Sequence, residues 1–94
     1  MRRKPGTLIP LESSILETAG ELRQKGVEEF YGFQIAKEMK DRSGARMLTG
    51  YGTLYRALGR LQQMGFLSSW WEDPLVAAEQ NRPRRRFYSL TNGL

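Results

Sequence analysis

Apolar residues recur every three or four positions near the start of the chain, the spacing that places side chains on one face of an α-helix. This pattern, which includes Ile15 and Leu22, predicts a first helix over residues 11–25. Serine hydroxyls readily accept hydrogen bonds from the free N–H groups at a helix start. Ser13 or Ser14 would therefore cap a slightly later start, and Pro10 suits the approach to the first turn.

A second helix is predicted over residues 32–43, where Phe33, Ala36 and Met39 share the apolar face. The glycine that follows is expected to end it. Residues 47–49 are too few to show a period, and a brief strand is one interpretation of them.

The most regular pattern lies in the middle of the chain. Leu54, Leu58 and Leu61 form an apolar stripe that predicts a third helix over residues 51–64, ended by Gly65. The other face of this helix is polar and basic. It carries Thr53, Arg56, Arg60 and Gln63. We expect the leucines to lie in the core and the arginines to face solvent or a partner.

The pattern changes after the third helix from a helical period to an aromatic-rich stretch. Residues 66–72 predict a strand, residues 73–83 a loop, and residues 84–91 the return strand of a hairpin. Trp70 and Trp71 are neighbours on a strand, so they point to opposite faces. We expect one of them to be buried and the other to be at least partly exposed.

The order of elements is helix, helix, short strand, helix and hairpin. This order is that of an α+β winged helix-turn-helix, in which the hairpin is the wing. The 94 residues suit one domain. We expect a single domain over residues 1–94, with residues 1–7 as a flexible basic arm.

Composition argues against catalysis. The chain has no cysteine and no histidine, so thiol chemistry, disulfides and the commonest general base and metal ligand are absent. We therefore expect neither an enzyme nor a cofactor. No apolar run approaches the ~20 residues that span a bilayer, and a cytoplasmic location is expected.

The charge is unevenly distributed along the chain. The net charge is +5, made up of +3 in residues 1–4, −2 in residues 5–42 (five basic, seven acidic) and +4 in residues 43–94 (seven basic, three acidic). A segregated basic region of this kind favours a polyanionic partner.

The basic residues fall where one DNA duplex could meet them. The third helix is the candidate for the major groove, where arginine binds guanine edges or phosphate. Thr49, Tyr51 and Gly52 lie at its N-terminal end, where free N–H groups suit a phosphate. The hairpin tip carries Arg82, Arg84 and Arg85, which are expected on the DNA backbone or in the minor groove. For each feature taken alone, a solvated basic surface is the plainer interpretation.

Four segments resemble one known family of regulators. They are YGFQIAK at residues 31–37, GTLYRALGRL at 52–61, QQMGFL at 62–67 and RPRRRFYSLT at 82–91. The family's corresponding strings are HGYELAK, GTLYPALHRL, EEGLI and GRPRRYYRLT. The chain thus resembles the PadR family over nearly its whole length.

The resemblance implies a cytoplasmic, dimeric winged-helix regulator, usually a repressor, that binds double-stranded DNA at a palindromic operator. Carried over by position, the DNA contacts are Tyr31, Tyr51, Thr53, Tyr55, Arg56, Arg60, Arg84 and Arg85. The family also implies a small aromatic or drug-like effector, for which the residues themselves give no support.

The sequence departs from the family pattern in three places. Tyr51 and Arg56 each stand where the family has proline, and Arg56 adds charge to the presumed DNA face. Family members continue into a long C-terminal helix that makes most of the dimer, whereas this sequence ends at Leu94. A homodimer is therefore expected to use the first helix, the N-terminal arm or the wing.

Two other functions fit parts of the pattern. A protein-interaction module would use Trp70, Trp71 and the apolar residues Leu75–Ala78 as its contact patch. An RNA-binding domain would need aromatic rings splayed for stacking on bases, and the aromatics here are expected in the core instead.

Overall fold

The computed structural model describes residues 8–43 and 50–91. Its helices are α1 (Pro10–Gln24), α2 (Gly32–Ser43), α3 (Tyr51–Gln63) and α4 (Pro74–Glu79), and its strands are β1 (Phe30–Tyr31), β2 (Leu67–Trp71) and β3 (Arg86–Leu90). None of these helices is long and apolar enough to cross a membrane.

Helix α1 begins at Pro10, earlier than predicted, and neither Ser13 nor Ser14 caps it. Proline suits a first helical position because it has no N–H to satisfy. The carboxylate of Glu12 reaches back instead, and its Oε1 accepts a 3.1 Å hydrogen bond from the backbone N–H of Ile9. The end of the helix is as expected, since Gly26 follows with a φ of +89°.

Helix α2 has the predicted bounds, but its buried face differs from the prediction. Ile35 and Met39, four residues apart, are buried, whereas Phe33 is 57% exposed. Phe33 lies in the first turn, away from the seam that these two residues make with the core. The sequence-predicted strand at residues 47–49 lies outside the described residues.

Helix α3 confirms its prediction closely. Leu58 and Leu61 are fully buried, and Leu54 and Ala57 are nearly so. Gly65 ends the helix with a φ of +86°, a conformation that glycine adopts without strain. The apolar face thus fixes which side of α3 remains outside.

A three-stranded antiparallel sheet has the order β1-β3-β2. Strand β1 was not predicted; it pairs Phe30 with Tyr88 and Tyr31 with Phe87. Because strand residues alternate between faces, Phe30, Tyr88 and Leu67 point into the helical core, where all three are buried. The outer face carries three aromatic rings, those of Tyr31, Phe87 and Trp70.

The segment from β2 to β3, residues 67–90, is called the wing below. The predicted loop at residues 73–83 was wrong in part, because it contains helix α4. The Asp73 side chain caps α4 by accepting a 2.9 Å hydrogen bond from the N–H of Leu75, and Pro74 occupies its first position. The return strand is shorter than predicted, since it begins at Arg86.

The prediction that one tryptophan is buried was also wrong. Trp70 is 36% exposed and Trp71 is 54% exposed. They do point to opposite faces, but the helical core ends near Leu67, and the strand runs beyond it. Both rings pack on wing side chains instead of on the core.

Candidate nucleic-acid interface

Arg56 lies on the face of α3 opposite the buried leucines. Its one side-chain bond within the described residues is a long 3.4 Å contact from Nη2 to the Thr53 hydroxyl, and it forms no ion pair there. Both residues are exposed. This guanidinium is thus available to a partner, and its fork of N–H donors suits a guanine edge or a phosphate.

Arg60 lies one turn further along α3, and a buried carboxylate at the start of α1 contacts its guanidinium. Its Nε is 3.2 Å from Oε2 of Glu12, a carboxylate that is buried, while the Arg60 side chain is 38% exposed. The approach falls outside hydrogen-bond geometry, so the contact is an ion pair without a directed bond. Glu12 therefore links the start of α1 to the exposed face of α3.

A shallow groove of about 180 Å³ separates the start of α1 from α3. It is lined by Ile9, Leu11, Glu12, Thr53, Arg56, Ala57 and Arg60. The three predicted DNA residues Thr53, Arg56 and Arg60 thus share one surface, as their spacing indicated.

Tyr51, Gly52 and Tyr55 lie at the N-terminal end of α3 and are all exposed. The Tyr55 ring also packs directly over Gly32, where a β-carbon would collide with its hydroxyl. Gly32 therefore allows α3 to lie close to the start of α2. Thr49, the remaining predicted residue of this group, lies outside the described residues.

Arg82 is expected on DNA, but in the structure its guanidinium is turned toward a carboxylate of the wing. Its guanidinium grips the Glu72 carboxylate with both terminal nitrogens, the Nη2 to Oε2 distance being 2.8 Å. The Arg82 side chain is only 19% exposed. The hydrogen bonds from Arg82 lower the pKa of Glu72 to about 2, against the opposing effect of burial. Arg82 is thus the internal counter-ion of a buried carboxylate.

Arg84 and Arg86 both lie over the Trp71 ring. Their guanidinium carbons are 5.6 and 5.2 Å from the Trp71 ring centroid, within the range of cation–π attraction. Arg84 also donates from Nε to the backbone carbonyl of Glu72 at 2.9 Å. The exposed tryptophan therefore holds two of the wing's arginines.

Arg85 occupies the other face of the wing. Its guanidinium carbon lies 4.2 Å from the centroid of the Tyr31 ring. Tyr31 in turn meets Phe87 edge-on, and Phe87 stacks on Trp70, with centroids 5.9 and 6.2 Å apart. The expectation that the aromatics lie in the core is wrong for these three rings, which stack on one another across the outer face of the sheet.

Three functional candidates were missed by sequence reasoning. Glu12 could have been identified from the sequence, because it follows Ile9 by three residues at a helix start that contains proline. This is the spacing at which a carboxylate bonds back to the residue before a helix. Residues 43–71 have no carboxylate, and Glu72 is the first acidic residue after them. Its place before the arginine-rich segment was therefore a signal that the sequence offered. Arg86 carried no signal, because its partner Trp71 is set by strand register.

Residues 22–93 match the family described as Transcriptional regulator PadR-like family. The chain belongs to that family. The expected membership is confirmed, and so is the expectation of a regulator as opposed to an enzyme. No curated protein matches this chain in sequence.

Solved structures share its fold. A PadR family transcription regulator from hypervirulent Clostridium difficile is 26% identical, with a TM-score of 0.62 over 87% of this chain and 72% of that chain. A transcriptional regulator from Clostridium thermocellum is 23% identical, with a TM-score of 0.65 over 87% of this chain and 66% of that chain. This chain thus spans about two thirds of the length of that regulator, and the predicted winged-helix fold is confirmed.

The ferric uptake regulator from Francisella tularensis, a structure with iron, is similar in fold alone. It is 15% identical, with a TM-score of 0.67 over 100% of this chain and 60% of that chain. Among residues 8–43 and 50–91 of the present protein, no three His, Cys, Asp or Glu side chains group as metal ligands would.

Proposed function

We propose that this PadR-family regulator binds double-stranded DNA in a sequence-specific manner and acts as a repressor. Helix α3 enters the major groove, and the wing lies on the flanking backbone or in the minor groove. The observation that carries the proposal is Arg56, an exposed guanidinium without an ion pair in the described residues, on a helix whose opposite face is buried.

The remaining contacts follow from the same surface. Thr53 lies beside Arg56, and Arg60 presents the outer edge of its guanidinium while Glu12 holds the inner edge. Tyr51 and Gly52 place the free N–H groups of the helix start near a phosphate. On the wing, Arg84 and Arg85 are assigned to the DNA backbone or minor groove, with Tyr31 supporting Arg85.

The protein-interaction alternative is less well supported by the geometry. It needs Trp70 and Trp71 in one patch, but they point to opposite faces of β2. Trp71 is also covered by two arginines. Leu75 remains 71% exposed on α4, and it does not by itself make a large apolar surface.

The assembly and its control remain predictions. A homodimer would match the two-fold symmetry of a palindromic operator. The candidate small-molecule effector and the cytoplasmic location rest on the family resemblance and composition alone.

The test is a fluorescence-anisotropy titration of a labelled random-sequence duplex, with sedimentation on the same sample. If Arg56, Arg60, Arg84 and Arg85 each neutralise a phosphate, affinity should fall roughly 100-fold between about 50 and 200 mM salt. The sedimenting mass then says whether the operator should be sought as one half-site or as a palindrome. Absence of binding at low salt would overturn the proposal.

A further inference from the structure

We infer that Glu72 is a positioning residue for DNA binding: its carboxylate keeps Arg82 away from the duplex and fixes the backbone of Arg85, while its backbone carbonyl holds the Arg84 side chain. This inference rests on the proposed function. It concerns a carboxylate inside the basic wing, where its negative charge alone would disfavour DNA binding.

Glu72 contacts each of the three arginines that sequence reasoning placed on DNA. Its carboxylate binds the Arg82 guanidinium through both oxygens, and Oε1 also accepts the backbone N–H of Arg85 at 3.3 Å. Its backbone carbonyl accepts from Arg84 Nε at 2.9 Å. Its backbone N–H donates to the Arg85 carbonyl at 2.8 Å.

These contacts sort the arginines into two groups. Arg82 has its terminal nitrogens turned inward and is largely buried. Among its contacts with the described residues, Arg84 uses only Nε, so its two terminal nitrogens remain for a partner, and Trp71 supports its plane. Arg85 is tied by its backbone, while its side chain lies over Tyr31. An arginine that is already oriented loses less side-chain entropy when it binds a phosphate.

The two possible roles of Glu72, a positioning residue and a repelling negative charge, predict opposite changes in DNA affinity when the carboxylate is removed. A negative charge close to DNA repels phosphates, so its removal should tighten binding to every duplex if charge alone matters. If Glu72 orients the wing, its removal should instead weaken binding to the preferred sequence. The sign of the change therefore separates the two roles.

The variants are Glu72→Gln and the control Glu79→Gln, an exposed carboxylate on α4 of the same wing. Both change the charge by the same amount. The probes are a duplex selected by the wild-type protein from a random library, and an unselected random duplex. Both are titrated by fluorescence anisotropy in the same salt.

We expect Glu72→Gln to bind the selected duplex about ten-fold more weakly, comparable to the cost of one mismatched base pair in a specific site. It should bind the random duplex at least as tightly as the wild type does. Glu79→Gln should lose no affinity for either. Equal or tighter binding of the selected duplex by Glu72→Gln, with unchanged discrimination, would overturn the inference.

Two further variants keep the inference testable if Glu72→Gln does not decide it alone. Glu72→Asp keeps the charge but is one methylene shorter, so it cannot keep all of the contacts, and it should also lose discrimination. It decides the question if Glu72→Gln does not fold. In Glu72→Gln with Arg82→Gln, the net charge equals the wild type, and an unchanged salt slope on random duplex is expected. A slope reduced by about 0.9 would instead place Arg82 on a phosphate.

Failure of the proposed function gives a different result. In that case the wild-type protein itself shows no salt-sensitive binding and selects no duplex. Wild-type selection together with an unaffected Glu72→Gln contradicts the inference alone.

Discussion

Helix α3 and the wing present their arginines by different physical means. Under α3, a continuous apolar seam of Leu54, Leu58 and Leu61 anchors the helix, and Arg56 stands on the far side with little to hold it. In the wing, little is anchored by burial. The arginines there are held one by one, by a carboxylate and by the faces of Trp71 and Tyr31.

This difference suggests how stability and recognition are separated. A change on the buried side of α3 should reduce the stability of the whole domain, whereas a change on its exposed side should affect binding alone. The Trp71 and Tyr31 rings that support the wing's arginines are themselves partly exposed, whereas Glu72 is buried. Substitutions of these rings should alter binding with little cost to the fold.

The largest expected effect is on the anchor of α3. Leu58 is fully buried, and Leu58→Ala should lower the free energy of unfolding by about 2–5 kcal/mol, through lost burial and the cavity left behind. Chemical denaturation followed by circular dichroism measures it. A loss below about 1 kcal/mol would mean that this seam does not carry the domain.

The next effect is on the exposed side of the same helix. Arg56→Ala should weaken binding to a selected duplex by about 1–3 kcal/mol, roughly 5- to 150-fold, and relax its sequence preference. Arg56→Lys keeps the charge but not the paired donors, so it should retain affinity for random duplex and lose discrimination. If Arg56→Ala and Arg60→Ala both bind normally, the proposed docking of α3 is wrong.

In the wing, Trp71→Leu should cost about 0.5–1 kcal/mol of DNA binding for each arginine released. Its thermal midpoint should remain near that of the wild type, since the ring is 54% exposed. Trp70→Leu is the matched control, because that ring stacks on Phe87 and not on an arginine. Equal losses of affinity in both variants would count against the role of Trp71.

A smaller effect on stability is expected at two glycines, Gly59 within α3 and Gly65 at its end. A β-carbon at Gly59 would meet nothing within 4 Å, so Gly59→Ala should stabilise the helix by about 0.5–1 kcal/mol. Gly65 has a φ of +86°, so Gly65→Ala should destabilise by about 1 kcal/mol or more. Thermal melts of both variants should therefore shift in opposite directions. Shifts in the same direction would contradict this assignment of α3 and its end.

Acid should destabilise the wing only at low pH. The pKa of Glu72 is lowered from 4.5 to about 2, so the stability that its ionised form adds is fully present above pH 4.5. That contribution is lost as the pH falls through about 2. The difference in unfolding free energy between wild type and Glu72→Gln should therefore be constant from neutral pH down to about 4.5. Denaturation at a series of pH values measures it, and a decline that is already complete well above pH 2 would mean a weaker ion pair.

Helical period served well as a predictor wherever an element was long. Helices α2 and α3 were placed within about one residue, because burial imposes the 3.6-residue period on the sequence. Strand β1 has two residues, too few for a period, and its partner Tyr88 lies far along the chain. Helix α4 has six residues, and only Asp73 and Pro74 signalled its start.

The sequence predicted which face of α3 carries the candidate site, but it predicted the contacts between side chains less well. The spacing of Thr53, Arg56 and Arg60 correctly indicated one shared surface on α3. The partner of Arg82 could not be inferred, since hairpin geometry, not sequence spacing, brings Glu72 to it. Which of several adjacent arginines faces inward is decided by such long-range contacts.

Dimethyl sulfate methylation of the selected duplex tests the central claim most directly, because it reports on guanine N7 in the major groove and adenine N3 in the minor groove. The account predicts that wild-type protein protects one or more guanines at N7, and that Arg56→Ala loses this protection while any protection of adenine N3 by the wing remains. Unprotected N7 positions under bound protein, or protection that survives in both Arg56→Ala and Arg60→Ala, would contradict an α3 docked in the major groove.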